Sequence, residues 1–143
     1  MMLEHKDMQE EKVVFDVNIF VSYIIGDRLG EIIDMVFNQN IRLYSNEEMR
    51  AELEDVLTRS KFKKYLTAPV AYYLDFFDKV TIPFTTILIF NDCSDPKDNY
   101  LFDLAYQTNA RYLVSGDKKG LTTSVQKSLR VITLSVFKKE MSI

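Results

Sequence analysis

Apolar positions along the chain follow two periods. Val13, Val14 and Phe15 form a short run that is apolar at every step, the pattern of a strand buried on both faces in a parallel sheet covered by helices. It predicts a strand over 12–16 that ends on Asp16. A short apolar helix follows over 19–25, interrupted near Gly26 and Asp27. A second helix covers 29–38, with Ile32, Ile33, Val36 and Phe37 at helical spacing, and a strand covers 41–44. Ser45 and Glu48 read as a capping box that opens a helix. Its inner face is Met49, Leu53, Val56 and Leu57. A further helix over 68–79 turns Val70, Tyr73, Leu74 and Phe77 inward. The stretch 81–90 is ambiguous: Ile87 to Phe90 reads either as a strand or as cover for a core edge. Asp95 and Pro96 then open a helix, an N-cap acid followed by proline at the first helical position. It runs to Thr108 with Asn109 as C-cap. Leu101, Leu104, Ala105 and Thr108 form its inner face, and Asp103 is expected to point to solvent. Strands over 111–114 and 130–134 and a short terminal helix complete the chain.

These elements place acids unevenly. In open α/β sheets, ligands bind beyond the carboxyl ends of the strands, and Asp16 stands there. On a wheel turning about 100° per residue, Glu47, Glu54 and Asp55 point away from the inner face of their helix. Glu52 lies on its border, between Met49 and Val56. Asp98 shares the inner face of its helix at the first turn. Asp117 ends the strand that runs through Val114, Ser115 and Gly116. The expectation is four carboxylates at one edge, which would repel one another and be reconciled by divalent cations. Hard oxygen donors without histidine or cysteine point to Mg²⁺ or Mn²⁺, one ion or two. Such ions activate water and stabilise the charge on a phosphodiester in transit. Three of the four acids also have a structural alternative, and Asp16, directly after a buried strand, is the hardest to explain away. An acid in the first turn of a helix favours the helix dipole whatever else it does, which covers Asp98; Glu52 reads as a solvated border residue and Asp117 as a turn residue.

Composition narrows the chemistry. The chain has 143 residues, 47% hydrophobic and 27% charged, with a formal charge of −3, which suits a globular domain. A polar leader over 1–11 and one domain over 12–143 are expected. The leader is not a signal peptide, and no apolar run reaches the length of about 18 residues that spans a bilayer. A cytoplasmic protein with no membrane partner is the expectation. The single cysteine, Cys93, has no internal disulfide partner, and the single histidine, His5, lies in the leader. Zinc sites and serine–histidine or cysteine–histidine nucleophiles therefore lose their parts. Glycine patterns for dinucleotide or P-loop binding are missing. A haloacid-type phosphatase wants an acid where Asn18 stands. Arg59, Lys61, Lys63 and Lys64 form a basic cluster that either tracks a nucleic-acid backbone or solvates a helix end. Lys118 and Lys119 flank Asp117 and can meet phosphates. Tyr65, Tyr72 and Tyr73 either pack or stack bases.

The segments FDVNIFVS, ELEDVLTRSKF, DPKDNYLFDLA and YLVSGDKKGL, in this order over about residues 12 to 139, resemble a PIN domain. More narrowly they resemble the subgroup of toxin components of toxin–antitoxin systems. The resemblance implies a doubly wound, three-layer α/β/α sandwich around a parallel sheet of about five strands. It carries the family's acidic quartet onto Asp16, Glu52, Asp98 and Asp117, as metal ligands and catalytic residues. Asn18 and Ser115 fall on accessory positions that orient water or carboxylates. Val17 stands where the family often has threonine; Ser115 replaces a threonine and keeps its hydroxyl. The implied function is a Mg²⁺- or Mn²⁺-dependent ribonuclease, a homodimer or higher homo-oligomer held by a cognate antitoxin protein. The alternative is a catalytically weak PIN-like module that binds RNA or protein.

Overall fold

The computed structural model describes residues 9–93, 95–116 and 129–143. Val13, Val14 and Phe15 are fully buried, as a strand covered on both faces must be, and β1 (Glu11–Phe15) is the central strand. It lies between β2 (Ile41–Ser45) and β4 (Tyr112–Val114), with β3 (Thr81–Pro83) and β5 (Arg130–Ile132) at the edges. The strand order is β3-β2-β1-β4-β5 and every pairing is parallel. The α/β fold around a five-stranded parallel sheet is the one expected from the sequence.

Among the described residues six helices cover this sheet: α1 (Val17–Ile25), α2 (Leu29–Asn38), α3 (Glu47–Leu57), α4 (Val70–Val80), α5 (Asn99–Gln107) and α6 (Leu134–Glu140). From β1 to β2 to β3 the chain steps one way across the sheet, through α1 to α4, which pack on one another. From β3 to β4 it returns the other way, through α5. Parallel crossovers are right-handed, so the reversal puts α5 on the opposite face, where it packs on β1 and β4. Phe15 meets Phe20 of α1 at 5.7 Å and Phe137 of α6 at 5.8 Å between ring centroids. Truncating such a buried ring to alanine costs about 3–5 kcal/mol.

Several local expectations shift. The N-cap of α3 is Asn46, whose side chain accepts from the Met49 N–H at 2.9 Å. Ser45 cannot take that role, because it ends β2 and its hydroxyl accepts from Thr81 at 2.9 Å. On α2 only Ile32 and Met35 are buried, and Ile33 and Phe37 are exposed; the apolar stripe is wider than the face that meets β2. The segment 81–90 contributes a strand only over Thr81–Pro83, followed by one further main-chain bond to β2, from the Phe84 N–H to the Ser45 carbonyl at 2.8 Å. Asp95 caps a 3-10 turn, Pro96–Asp98, by accepting from the Lys97 N–H at 3.0 Å, and α5 itself begins at Asn99. Asn109, with φ +59°, takes the left-handed conformation of a helix end.

The largest correction concerns Asp103. It is 3% exposed, not solvent-facing. Its carboxylate accepts from the Ile89 N–H at 3.2 Å and the Phe90 N–H at 2.9 Å. The wheel placed it opposite the sheet correctly, but the chain over 87–90 passes over that side of α5 and covers it.

Candidate active site

The strand order reverses between β1 and β4, and that switch point is where open α/β sheets bind ligands. Phe15 and Val114 are register partners at the ends of these strands. The next residues, Asp16 and Ser115, are therefore brought side by side. The Ser115 hydroxyl donates to Asp16 Oδ2 at 2.8 Å, and Ser115 is fully buried. Asp16 is also the N-cap of α1, with its Oδ1 accepting from the Asn18 N–H at 3.3 Å. The helix dipole favours a negative charge at that end. Asp16 is thus stabilised by a hydroxyl, an amide and a dipole. Among the described residues neither Asp16 nor Glu52 takes part in an ion pair. Asn18 itself contributes its main chain, and its side chain is exposed.

Glu52 is half-buried on the border of α3, as its wheel position requires. Its Oε1 accepts from the Tyr100 hydroxyl, reaching across from α5, at 2.5 Å. Burial, then the hydrogen bond to Glu52, then the charges of Glu52, Asp16 and Asp98 push the Tyr100 hydroxyl far above the usual tyrosine range. That one hydroxyl therefore feels Asp16, Glu52 and Asp98 together. Asp98 stands at the N-terminal edge of α5, half-buried, and its side chain makes no capping bond to the helix. Asp117, Lys118 and Lys119 lie outside the described residues, as does His5.

Tyr100 is the residue that sequence reasoning missed. Its signal was faint: an amphipathic side chain two residues after Asp98 and one turn before Leu104 of the buried face. Tyr73, by contrast, is a core residue whose hydroxyl accepts from the Thr67 N–H at 3.1 Å, while Tyr65 and Tyr72 are exposed.

The donor chemistry at this edge fits a hard divalent cation. The side chains there offer carboxylate and hydroxyl oxygens in two pairs, Asp16 with Ser115 and Glu52 with Tyr100, and the nearby Cys93 thiol is pushed up to about 11, by burial first and then by Asp98, Asp92, Asp95 and Asp103. It stays protonated near neutrality and offers no thiolate. Among the described residues, no three His, Cys, Asp or Glu side chains form a set that could hold a metal ion. The expected gathering of Asp16, Glu52 and Asp98 into one metal-holding set is therefore not found among the described residues, and Asp117 lies outside them.

The basic cluster stands apart from this edge. Lys61, Lys63 and Lys64 lie on a 3-10 helix, Ser60–Tyr65, beyond the C-terminus of α3, which is about 15 Å long. Ser60, Lys61, Lys63 and Lys64 line an open depression of about 520 Å³. Arg59 is paired with Asp55 at 2.9 Å. Among the described residues no helix is long and apolar enough to cross a membrane.

A family model described as PIN domain matches residues 12–119. The chain is also 29% identical over 120 residues to the uncharacterized protein MJ1680 of Methanocaldococcus jannaschii, covering 81% of this chain and 77% of that protein. No solved structure matches it.

Proposed function

The chain belongs to the PIN domain family, a nuclease-like fold, and from that premise we propose that it is a metal-dependent endoribonuclease. The observation that carries this is the switch-point arrangement: Asp16 buried against the Ser115 hydroxyl, and Glu52 bonded to Tyr100, whose hydroxyl also feels the charges of Asp16 and Asp98. In this reading Asp16, Glu52, Asp98 and Asp117 hold one or two Mg²⁺ or Mn²⁺ ions. A bound ion supplies Lewis acidity, lowering the pKa of water and neutralising charge on the phosphodiester. The chain's own residues do the rest. Ser115 fixes the Asp16 carboxylate through Oδ2, and Asn18 holds Oδ1 through its main-chain N–H. Water attacks phosphorus in line, the phosphorus–oxygen bond of the RNA breaks, and the water's proton passes to solvent while the departing oxygen takes one from solvent, so no histidine is needed. Lys118 and Lys119 meet phosphates beside Asp117, and Arg59, Lys61, Lys63 and Lys64 meet them further along the strand.

We further propose the toxin role: a cytoplasmic homo-oligomer whose cutting is held off by a cognate antitoxin protein. It draws on the order of the motifs around Asp16, Glu52, Asp98 and Asp117. A second reading, a binding module that does not cut, draws on Val17, which is fully buried in the first turn of α1 with no hydroxyl to offer.

Cleavage of single-stranded RNA by the purified chain, with Mn²⁺ and then with chelator, separates the two. The enzyme cuts with the ion and stops with the chelator. Asp16→Asn and Asp117→Asn abolish cutting while the protein stays folded. Variants that cut as fast as the wild type overturn the nuclease reading.

A further inference from the structure

Tyr100 and Glu52 join two helices that meet at the edge carrying Asp16. The Tyr100 hydroxyl donates to Glu52 Oε1 at 2.5 Å, from a side chain largely enclosed by its neighbours. A hydrogen bond to an ionised acceptor is shorter and stronger than one between neutral groups. Here the phenol O–H is the donor and a carboxylate oxygen the acceptor. Glu52 has no other partner among the described residues, so one of its oxygens is held and the other is left over. A glutamate on a helix border turns freely about its last torsion. Tied to Tyr100, it does not.

We propose that Tyr100 is a positioning residue: it holds Glu52 through Oε1 and so presents Oε2 to whatever binds at the switch point. This rests on the nuclease reading for what Oε2 meets, a cation or its water, and on the geometry alone for the tether. Groups that orient a metal's ligands by hydrogen bonding tune affinity as the ligands themselves do, and a site built on two helices is only as well defined as the bonds between them. Tyr100 places that bond where the wheel position of Glu52 alone leaves a movable carboxylate.

Tyr100→Phe keeps the ring and removes the hydroxyl, so it suits the test, together with Glu52→Ala, which removes the acceptor, and the double variant of the full chain. Without metal, thermal unfolding reads the tether. The losses in Tm of the two single variants are not additive in the double variant if the groups act as a pair. Additive losses overturn the inference whatever the protein's activity. With Mn²⁺ titrated against Tm in the absence of RNA, Tyr100→Phe raises the half-saturating concentration about tenfold. In the Glu52→Ala background the same change shifts it by less than about twofold. On RNA, kcat falls and KM holds. A Tyr100→Phe protein that titrates like the wild type, or an equal penalty in the Glu52→Ala background, sinks the positioning role. A wild type that never responds to Mn²⁺, with the tether intact in the metal-free cycle, sinks the nuclease reading and leaves the tether established.

Discussion

Asp16 and Asp103 are both buried aspartates, 6% and 3% exposed, yet they do opposite things. Asp103 lies inside α5 and spends its oxygens on the main chain, accepting from Ile89 and Phe90. Gln107, one turn on, accepts from the Ile87 N–H at 2.9 Å and donates to the Ile87 carbonyl at 2.7 Å. Together they pin the segment 87–90 along the helix as a neighbouring strand would, and Phe90 stacks on Phe102 at 4.8 Å. Asp16 stands at the carboxyl end of the central strand. Its firm partner is a hydroxyl, and its main-chain bond is long. Its charge and those of Glu52 and Asp98 all act on the Tyr100 hydroxyl. Burial of a carboxylate therefore marks no chemistry by itself. What separates the two is whether the donors are main-chain amides closing the fold or side chains at the switch point.

The largest expected effect breaks or confirms that separation outright. Asp16→Asn lowers Mn²⁺-dependent RNA cleavage by about a thousandfold, the scale of several kcal/mol of lost charge stabilisation, with Tm close to that of the wild type. Asp103→Ala does the reverse. It leaves two covered amides unpaired, costing about 1–3 kcal/mol and lowering Tm by about 3–10 °C, while each folded molecule cuts at the wild-type rate. Initial rates at saturating RNA and thermal melts on the same samples check both. If Asp103→Ala silences cleavage without lowering Tm, the two carboxylates are not of different kinds.

Much of this contrast was readable in the residues, and its limits are physical. Periodicity reports which side of a helix meets the sheet, so it put Glu52 on a border and Asp16 at a strand end. It placed Asp103 opposite the sheet for the same reason. It does not report that an irregular segment returns over that opposite side, because the bonds holding 87–90 run from side chains to main chain and leave no repeat in the sequence. Ile87 and Ile89, 70% and 72% exposed, show the same limit: a β-branched run suggests a strand, but here side-chain amide and carboxylate groups replace the missing neighbour. Tyr100 escaped because a hydrogen bond between two helix borders needs their relative placement, which no single helix pattern contains. The cap of α3 moved by one residue because Ser45 and Asn46 both have capping side chains, and only the pairing of Ser45 with Thr81 decides between them.

A smaller effect sharpens the contrast on the fold side alone. Gln107→Ala removes both bonds to Ile87, and because that pair is exposed the loss is about 0.5–1 kcal/mol. Hydrogen exchange at the Ile87 amide rises while β1 amides keep their protection. Equal acceleration across β1 would mean that the segment is part of the core rather than pinned onto it.

The smallest effect uses a group that feels both aspartates of α5's neighbourhood. Cys93 has its thiol pushed up to about 11 from an ordinary 9.0, by burial first, then by Asp98, Asp92, Asp95 and Asp103 in falling order. A raised pKa in the folded chain means that folding favours the neutral thiol. The associated stability is complete below about pH 9 and is lost as pH rises towards 11. The wild type should therefore lose Tm more steeply than Cys93→Ser across that window. Alkylation of the folded chain at pH 8 should be slower than that of a free thiol, since the thiolate is the nucleophile. Asp98→Asn then speeds alkylation more than Asp103→Asn does, because the Asp98 charge is the largest of the four on the thiol and that of Asp103 the smallest. Equal acceleration by both would place Cys93 with the strap on α5 rather than beside the acidic edge, and would blur the line that divides Asp16 and its neighbours from Asp103.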